Sequence, residues 1–179
     1  MPALDIRELQ LTELSNAAHL VHICSGTDAE VTKAIYERQL RRGVGLLLGA
    51  RRADALVGVA RVLYFSPPAN SPPNVAPRGW YLMGVNVLPS ARAQGVGRQL
   101  TERRIDWLAP RTRRAYYFTR ANNEASLGLH SAYGFSEVTR DFTFPTARLE
   151  GESILFKLEP LPRRQSAQPP TSIRQRRLT

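Results

Sequence analysis

Two arginines and two glycines carry the first chemistry that this 179-residue sequence offers. They lie in Arg92-Ala93-Gln94-Gly95-Val96-Gly97-Arg98. Before them runs a stretch of strand formers that opens at Trp80. After them comes a helical pattern with Val96, Leu100, Trp107 and Leu108 on one face. Strand, glycine turn and helix N-terminus together make an anion site. The first N–H groups of a helix lack intrahelical partners, and the helix dipole adds positive charge there. Glycine lets a phosphate approach the backbone without meeting a Cβ. Arg92 and Arg98 add formal charge on either side. A P-loop would need a lysine after the second glycine, where Arg98 stands, and a dinucleotide fingerprint would need a third glycine, where Leu100 stands. An ordinary strand-to-helix turn has the same outline. His19 and His22 sit at i, i+3 with no third ligand nearby, which reads as a surface pair and not a metal site.

Those residues need elements to hold them. Leu4 to Leu11 alternates as a first strand, and Thr12 is placed to cap a helix with Leu14, Ala18 and Val21 inward. Asp28 caps a second helix, Ala29 to Arg42, with Val31, Ile35 and Leu40 as core positions and Gly43 as its stop. Val44 to Arg51 and Ala55 to Phe65 read as a hairpin about Ala53-Asp54. Ser66 to Arg78 holds five prolines and reads as a surface loop that overhangs a cleft. Ala115 to Arg120 is a short aromatic strand. Asn122-Asn123 caps a further helix that runs to about Tyr133 and stops at Gly134. Phe135 to Phe144 and Glu152 to Leu158 close the pattern as a strand pair. Residues 1–159 thus read as one domain, and residues 160–179 as a basic, proline-containing disordered tail with nothing to bury.

Composition narrows the function. The one cysteine, Cys24, forbids an internal disulfide and points to a reducing cytoplasm. The start MPALDIREL lacks the apolar core of a signal peptide, and no apolar run is long enough to span a bilayer. A net charge of +10 invites nucleic acid, but the tail alone supplies five of the arginines, which leaves a body of about +5. Nucleic acid is therefore not the expected partner.

A second motif lies downstream. N-x-x-S-x-x-L-H-x-x-x-G-F is read at Asn123, Ser126, Leu129, His130, Gly134 and Phe135. With the earlier V-x-V-x-P and R-x-x-G-x-G at Val85, Val87, Pro89, Arg92, Gly95 and Gly97, it resembles the GNAT acetyltransferase superfamily over roughly Leu4 to Leu158. That resemblance implies an α+β fold. Its central sheet would be mixed and mostly antiparallel, of about seven strands, with helices on both faces. Two parallel central strands would splay apart to hold acetyl-CoA, with no metal.

Carried over by position, the backbone of Val85, Asn86 and Val87 would bond the pantetheine arm. Arg92, Ala93, Gln94, Gly95, Val96, Gly97 and Arg98 would cradle the pyrophosphate, and Asn123 would border the pantetheine amide. His130, or Tyr133 one turn later, would protonate the departing thiolate. The expected reaction is transfer of acetyl from acetyl-CoA to a primary amine of a small molecule or peptide by direct attack. A protein N-alpha-acetyltransferase and a catalytically weak acyl-CoA-binding regulator stay open as alternatives, as does a homodimer. The resemblance leads one to expect a carboxylate base on the central strand, yet Trp80 to Leu88 has none. Glu30, Glu37 and Asp141 are nearby only by analogy. Acceptor choice would lie in loops near 25–30, 66–78 and 145–151.

Overall fold

Strand and helix alternate in the chain much as the apolar patterns require. The structure, a computed structural model, describes residues 3–145, 147 and 151–162. Its strands are β1 (Leu4–Glu8), β2 (Leu46–Arg52), β3 (Ala55–Phe65), β4 (Gly79–Val87), β5 (Ala115–Arg120), β6 (Ser136–Thr139) and β7 (Ser153–Leu158). Its helices are α1 (Leu14–Ser25), α2 (Ala29–Arg42), α3 (Val96–Leu108) and α4 (Glu124–Ser131). One sheet runs in the order β1-β2-β3-β4-β5-β7-β6. Every neighbouring pair is antiparallel except β4 and β5. The expected mixed sheet with one parallel central pair is present.

Period-two alternation decides what each face meets. Leu46, Leu48, Ala60, Val62, Leu82, Ala115 and Tyr117 pack with Val96, Leu100, Ile105 and Leu108 of α3. Leu47 and Val59 pack instead with α1 and α2, against Leu14, Ala17, Leu20 and Tyr36. A third cluster gathers Phe65, Tyr81, Tyr116 and Leu155 of the sheet, and no helix among the described residues covers it. Ala76, Phe142 and Phe144 do. Here the expected strand Phe135 to Phe144 is corrected: only Ser136–Thr139 pairs, and the chain then leaves the sheet edge to lay two phenylalanines over the aromatic cluster. The proline-rich segment is pinned to it, with Ala76 N–H donating to Thr143 O at 2.8 Å and Thr143 N–H donating to Asn74 O at 2.9 Å.

The helix ends follow side-chain chemistry. Asp28 accepts from Val31 N–H at 2.9 Å, and Gly43 at φ +60° ends α2. Thr12 is not the cap of α1. It lies inside a 3-10 turn, Leu11–Glu13, where the Glu13 carboxylate accepts from Gln10 N–H at 2.8 Å. On α2 the inward face is turned one residue from the expected one. Thr32, Tyr36 and Gln39 are buried, while Val31 and Ile35 are exposed. Gln39 explains the turn, because its Nε2 donates to Leu46 O at 3.1 Å and to Val62 O at 2.9 Å at the end of the β2–β3 pair. Leu161, placed in the tail on sequence grounds, is buried in the α3-side core, and its N–H donates to Arg113 O at 3.1 Å. The rest of the expected tail, from residue 163 on, lies outside the described residues.

Candidate active site

The site is built on one strand edge. β4 and β5 pair only at Trp80 with Ala115 and Tyr81 with Tyr116, and then part. Opposite them, β3 follows β4 to Val87, with a bulge that leaves Gly84 as the extra residue at φ +41°. Leu88 N–H donates to Val57 O of the β3 side at 3.0 Å. Backbone direction alternates along a strand, so Asn86 also turns to β3, and Val85 and Val87 turn their N–H and C=O groups to the open edge. Arg92 Nε donates to Val87 O at 3.1 Å, which holds that arginine against the same edge.

The turn after β4 is left-handed twice, at Ala93 (φ +56°) and at Gly95 (φ +78°), and Gly95 is the N-cap of α3. A non-glycine residue in that region stores strain, and such strain gathers at functional turns. The first helical bond is Gln99 N–H to Gly95 O, so Val96, Gly97 and Arg98 present N–H groups without intrahelical partners. A Cβ on Gly97 would meet nothing closer than 3.6 Å, so the protein itself has room for a side chain there. Val96 is buried beneath the turn, while Arg98 pairs loosely with Glu102 at 3.9 Å. Gln94 is tied down through Arg52 and through its Nε2 bond to Ser90 O.

A cavity of about 550 Å³ opens between the parted strands. Its wall takes in Val85, Asn86, Val87, Arg92, Asn123 and His130 among the expected residues. Ala93 to Arg98 and Tyr133 are not in that wall. Asn123 caps α4, with its Oδ1 accepting from Ser126 N–H at 3.2 Å. The Tyr133 hydroxyl donates to Arg98 O at 3.2 Å. His130 is buried and stacks on Tyr117 at 4.0 Å between ring centres, with Phe135 edge-on. Its Nδ1 lies 2.9 Å from Ser126 O. A carbonyl can only accept, so Nδ1 carries the hydrogen and the neutral ring leaves Nε2 bare. Nε2 is buried without a partner. Burial, helped by the charge of Arg104 and opposed by the Ser126 bond, pushes His130 down to about 4. The expected proton donor is therefore neutral near pH 7.

Sequence reading missed Arg104. The spacing Val96, Leu100, Leu108 leaves position 104 in the middle of the apolar stripe of α3, and that interruption was its signal. The guanidinium is fully buried and shares the cavity wall. Burial pushes it down to about 9, with Tyr133 opposing, and it still carries its charge at neutral pH. No Asp or Glu is in the wall among the described residues. Glu37 pairs with Arg41 and Asp141 accepts from Asn74, so the analogical bases are engaged elsewhere or, like Glu30, stand outside the wall. Groups of three or more His, Cys, Asp or Glu that could hold a metal are absent among the described residues, and His19 and His22 are exposed. No helix of the described residues is long and apolar enough to cross a membrane.

Known proteins share this fold. A model of the acetyltransferase (GNAT) family matches residues 9–135. An uncharacterized protein of Mycobacterium leprae (strain TN) is 29% identical over 107 residues, which are 59% of this chain and 27% of that protein. The chain thus spans about a quarter of that relative's length. Among solved structures, a ribosomal-protein-alanine N-acetyltransferase from Brucella melitensis is 23% identical, covers 87% of this chain and 99% of its own, and has a TM-score of 0.65. An aminoglycoside N-acetyltransferase in complex with CoA is 23% identical over 82% and 96% of the two chains, with a TM-score of 0.67. A phosphinothricin acetyltransferase from Sinorhizobium meliloti, in complex with acetyl-CoA, is 14% identical over 87% and 88%, with a TM-score of 0.67.

Proposed function

The chain belongs to the acetyltransferase (GNAT) family, and on that premise we propose that it transfers acetyl from acetyl-CoA to a primary amine of a small molecule or peptide. One observation carries the reading. The open edge of β4 and the bare N–H groups of α3 sit at the two ends of one turn, beside a cavity of about 550 Å³. They fit a thioester arm and a pyrophosphate respectively. Val85 and Val87 would bond the pantetheine, and one of their N–H groups would polarise the thioester carbonyl. Ala93 to Arg98 would hold the pyrophosphate, with Arg92 at the cavity rim and Asn123 across from it.

The amine attacks the carbonyl carbon, the C–S bond breaks, and the amine nitrogen loses a proton as the thiolate gains one. His130 in its neutral form can accept that proton at Nε2 but has none to donate there. We assign it the relay. A proton held on a group near 4 passes downhill to a thiolate whose acid has a pKa of about 8.5. With no carboxylate in the described wall, the acceptor must arrive already deprotonated. This favours an α-amine, pKa about 7.7–8.0, over a lysine-like amine near 10.4. Incubation with acetyl-CoA and an amine panel, read with a thiol-detecting dye, tests the reading. CoA release should depend on an α-amine. His130→Ala should lower kcat at least about tenfold, whereas Tyr133→Phe should not. Absence of thiol release with every amine, although acetyl-CoA binds, would leave the acyl-CoA-binding regulator in its place.

A further inference from the structure

Among the described residues, Arg104 is a buried cation without an anion. Its residue is 0% exposed. Its firm hydrogen bond goes to Thr101 Oγ1 at 2.9 Å, while Arg61 O and Met83 O lie at the 3.5 Å limit and Nε has no partner. Those two carbonyls flank the β4 bulge, so the guanidinium stands where β4 and β5 part. There it borders the cavity beside Leu82, Gly84, Tyr117 and His130. A second cleft continues from the first through Gly84, Phe118, Thr119 and Asn123, and its wall adds Arg120. Among the described residues, neither wall contains an Asp or a Glu. Burying an unpaired charge is costly, and a fold that needed only to fill this space would use an apolar side chain. The planar fork of an arginine matches a carboxylate.

We propose that Arg104 is the cation of a carboxylate subsite at the base of this cavity, and that one of the two substrates carries the carboxylate it pairs with. The inference rests on the acyltransferase reading above. The carboxylate has two sources in such a reaction. It is the free end of a dicarboxylic acyl chain on CoA, or it belongs to an amino-acid-like acceptor and lies near the attacking amine. Polycationic acceptors are disfavoured in either case, since the described cavity wall carries Arg92 and Arg104 and no carboxylate.

Two measurements separate the sources. Calorimetric titration compares succinyl-CoA with acetyl-CoA, each referred to CoA. Initial rates with acetyl-CoA as donor compare amino acids with their C-terminal amides. If the acyl chain carries the carboxylate, the wild-type protein prefers succinyl-CoA by at least about tenfold, and Arg104→Met abolishes the preference. If the acceptor carries it, the free amino acid exceeds its amide in kcat/KM by a similar factor, and the same variant removes that gap. Should Arg104→Met not fold, Arg104→Lys decides, because it keeps the charge, loses the fork, and must narrow the same ratio. Ratios near one in the wild-type protein, or ratios that survive in both variants, overturn the subsite while leaving CoA binding and acetyl transfer in place. A wild-type protein that binds no CoA at all overturns the acyltransferase reading, and the subsite with it.

Discussion

Along its β3 side, β4 is paired from Gly79 to Val87; along its β5 side it is paired only at Trp80 and Tyr81. The closed side uses its backbone and its glycines to fit chain against chain. A Cβ on Gly58, across from Val87, would meet Val96 Cγ1 at 3.0 Å and Leu100 Cδ1 at 3.1 Å. The open side turns the groups of Val85 and Val87 away from β3, with Val87 O taken by Arg92 Nε, and Gly97 above it has room for a side chain within the protein. One glycine is demanded by packing. The other is not demanded by packing, which is what the proposed approach of a pyrophosphate would require. On the proposed function, one strand is structural along one edge and binds CoA along the other, and substitutions on the two sides should fail in different ways.

Gly97→Glu should give the largest effect. It places a negative charge at the helix N-terminus and should weaken CoA binding about a hundredfold, the loss of charge-assisted bonds worth about 3 kcal/mol. Calorimetry reads the affinity, and an unchanged Tm shows that the fold survives. Equal affinity would erase the distinction between the edges. His130 comes next, on the open side. Its folded pKa of about 4 lies below the ordinary 6.5, so between those values the unfolded chain binds a proton that the folded chain refuses. Its contribution to stability is complete above about pH 6.5 and is lost as pH falls towards 4, by up to about 3 kcal/mol. Denaturant melts at pH 7 and pH 5 should show the loss, and His130→Leu should flatten it.

Gly58→Val tests the closed side. Overpacking against Val96 and Leu100 should lower stability by about 2 kcal/mol, while the folded fraction keeps its CoA affinity. A large loss of affinity without loss of stability would blur the contrast. The smallest effect concerns the sheet beyond β5. A chain ending at Glu159 lacks the buried Leu161 and should be less stable than one ending at Pro162 by about 1.5 kcal/mol. The difference in Tm between the two truncations reads Leu161 together with its backbone bond to Arg113, and Leu161→Ala in the longer chain isolates the side chain.

Much of this was legible in the sequence, and the failures share a cause. α3 and β5 were placed well because their apolar residues follow one period, 3.6 along the helix and two along the strand. The Asp28 cap and the Gly43 stop were visible because each acts locally. On α2, Val31 and Ile35 looked inward by period, but Gln39 had strand carbonyls to satisfy, and that demand came from β2 and β3. Phe142 and Phe144 looked like strand residues, yet a face left bare by the helices drew them away from pairing. At the site, the motif residues His130 and Asn123 were found in the cavity wall. The neutral state of His130 was not readable, because it depends on Tyr117, Phe135 and Arg104 closing around it. Burial and pairing are properties of distant partners, and a linear pattern records only near ones.

The two residue pairs at the foot of β4 and β5 also have a mechanical consequence. β1 to β4 form one plate and β5 to β7 another, and between β4 and β5 the ladder is Trp80–Ala115 and Tyr81–Tyr116, with the Tyr81 and Tyr116 rings stacked at 5.2 Å. So short a ladder should bend more easily than the rest of the sheet, with α3 as the strap that packs on both plates. The width of the cavity is then set by an angle between plates and not by the length of any one side chain. A ligand bonded to β4 and touching β5 or α4 would act as a strut across that angle, and slower amide exchange along β5 is the sign by which the strut would be recognised.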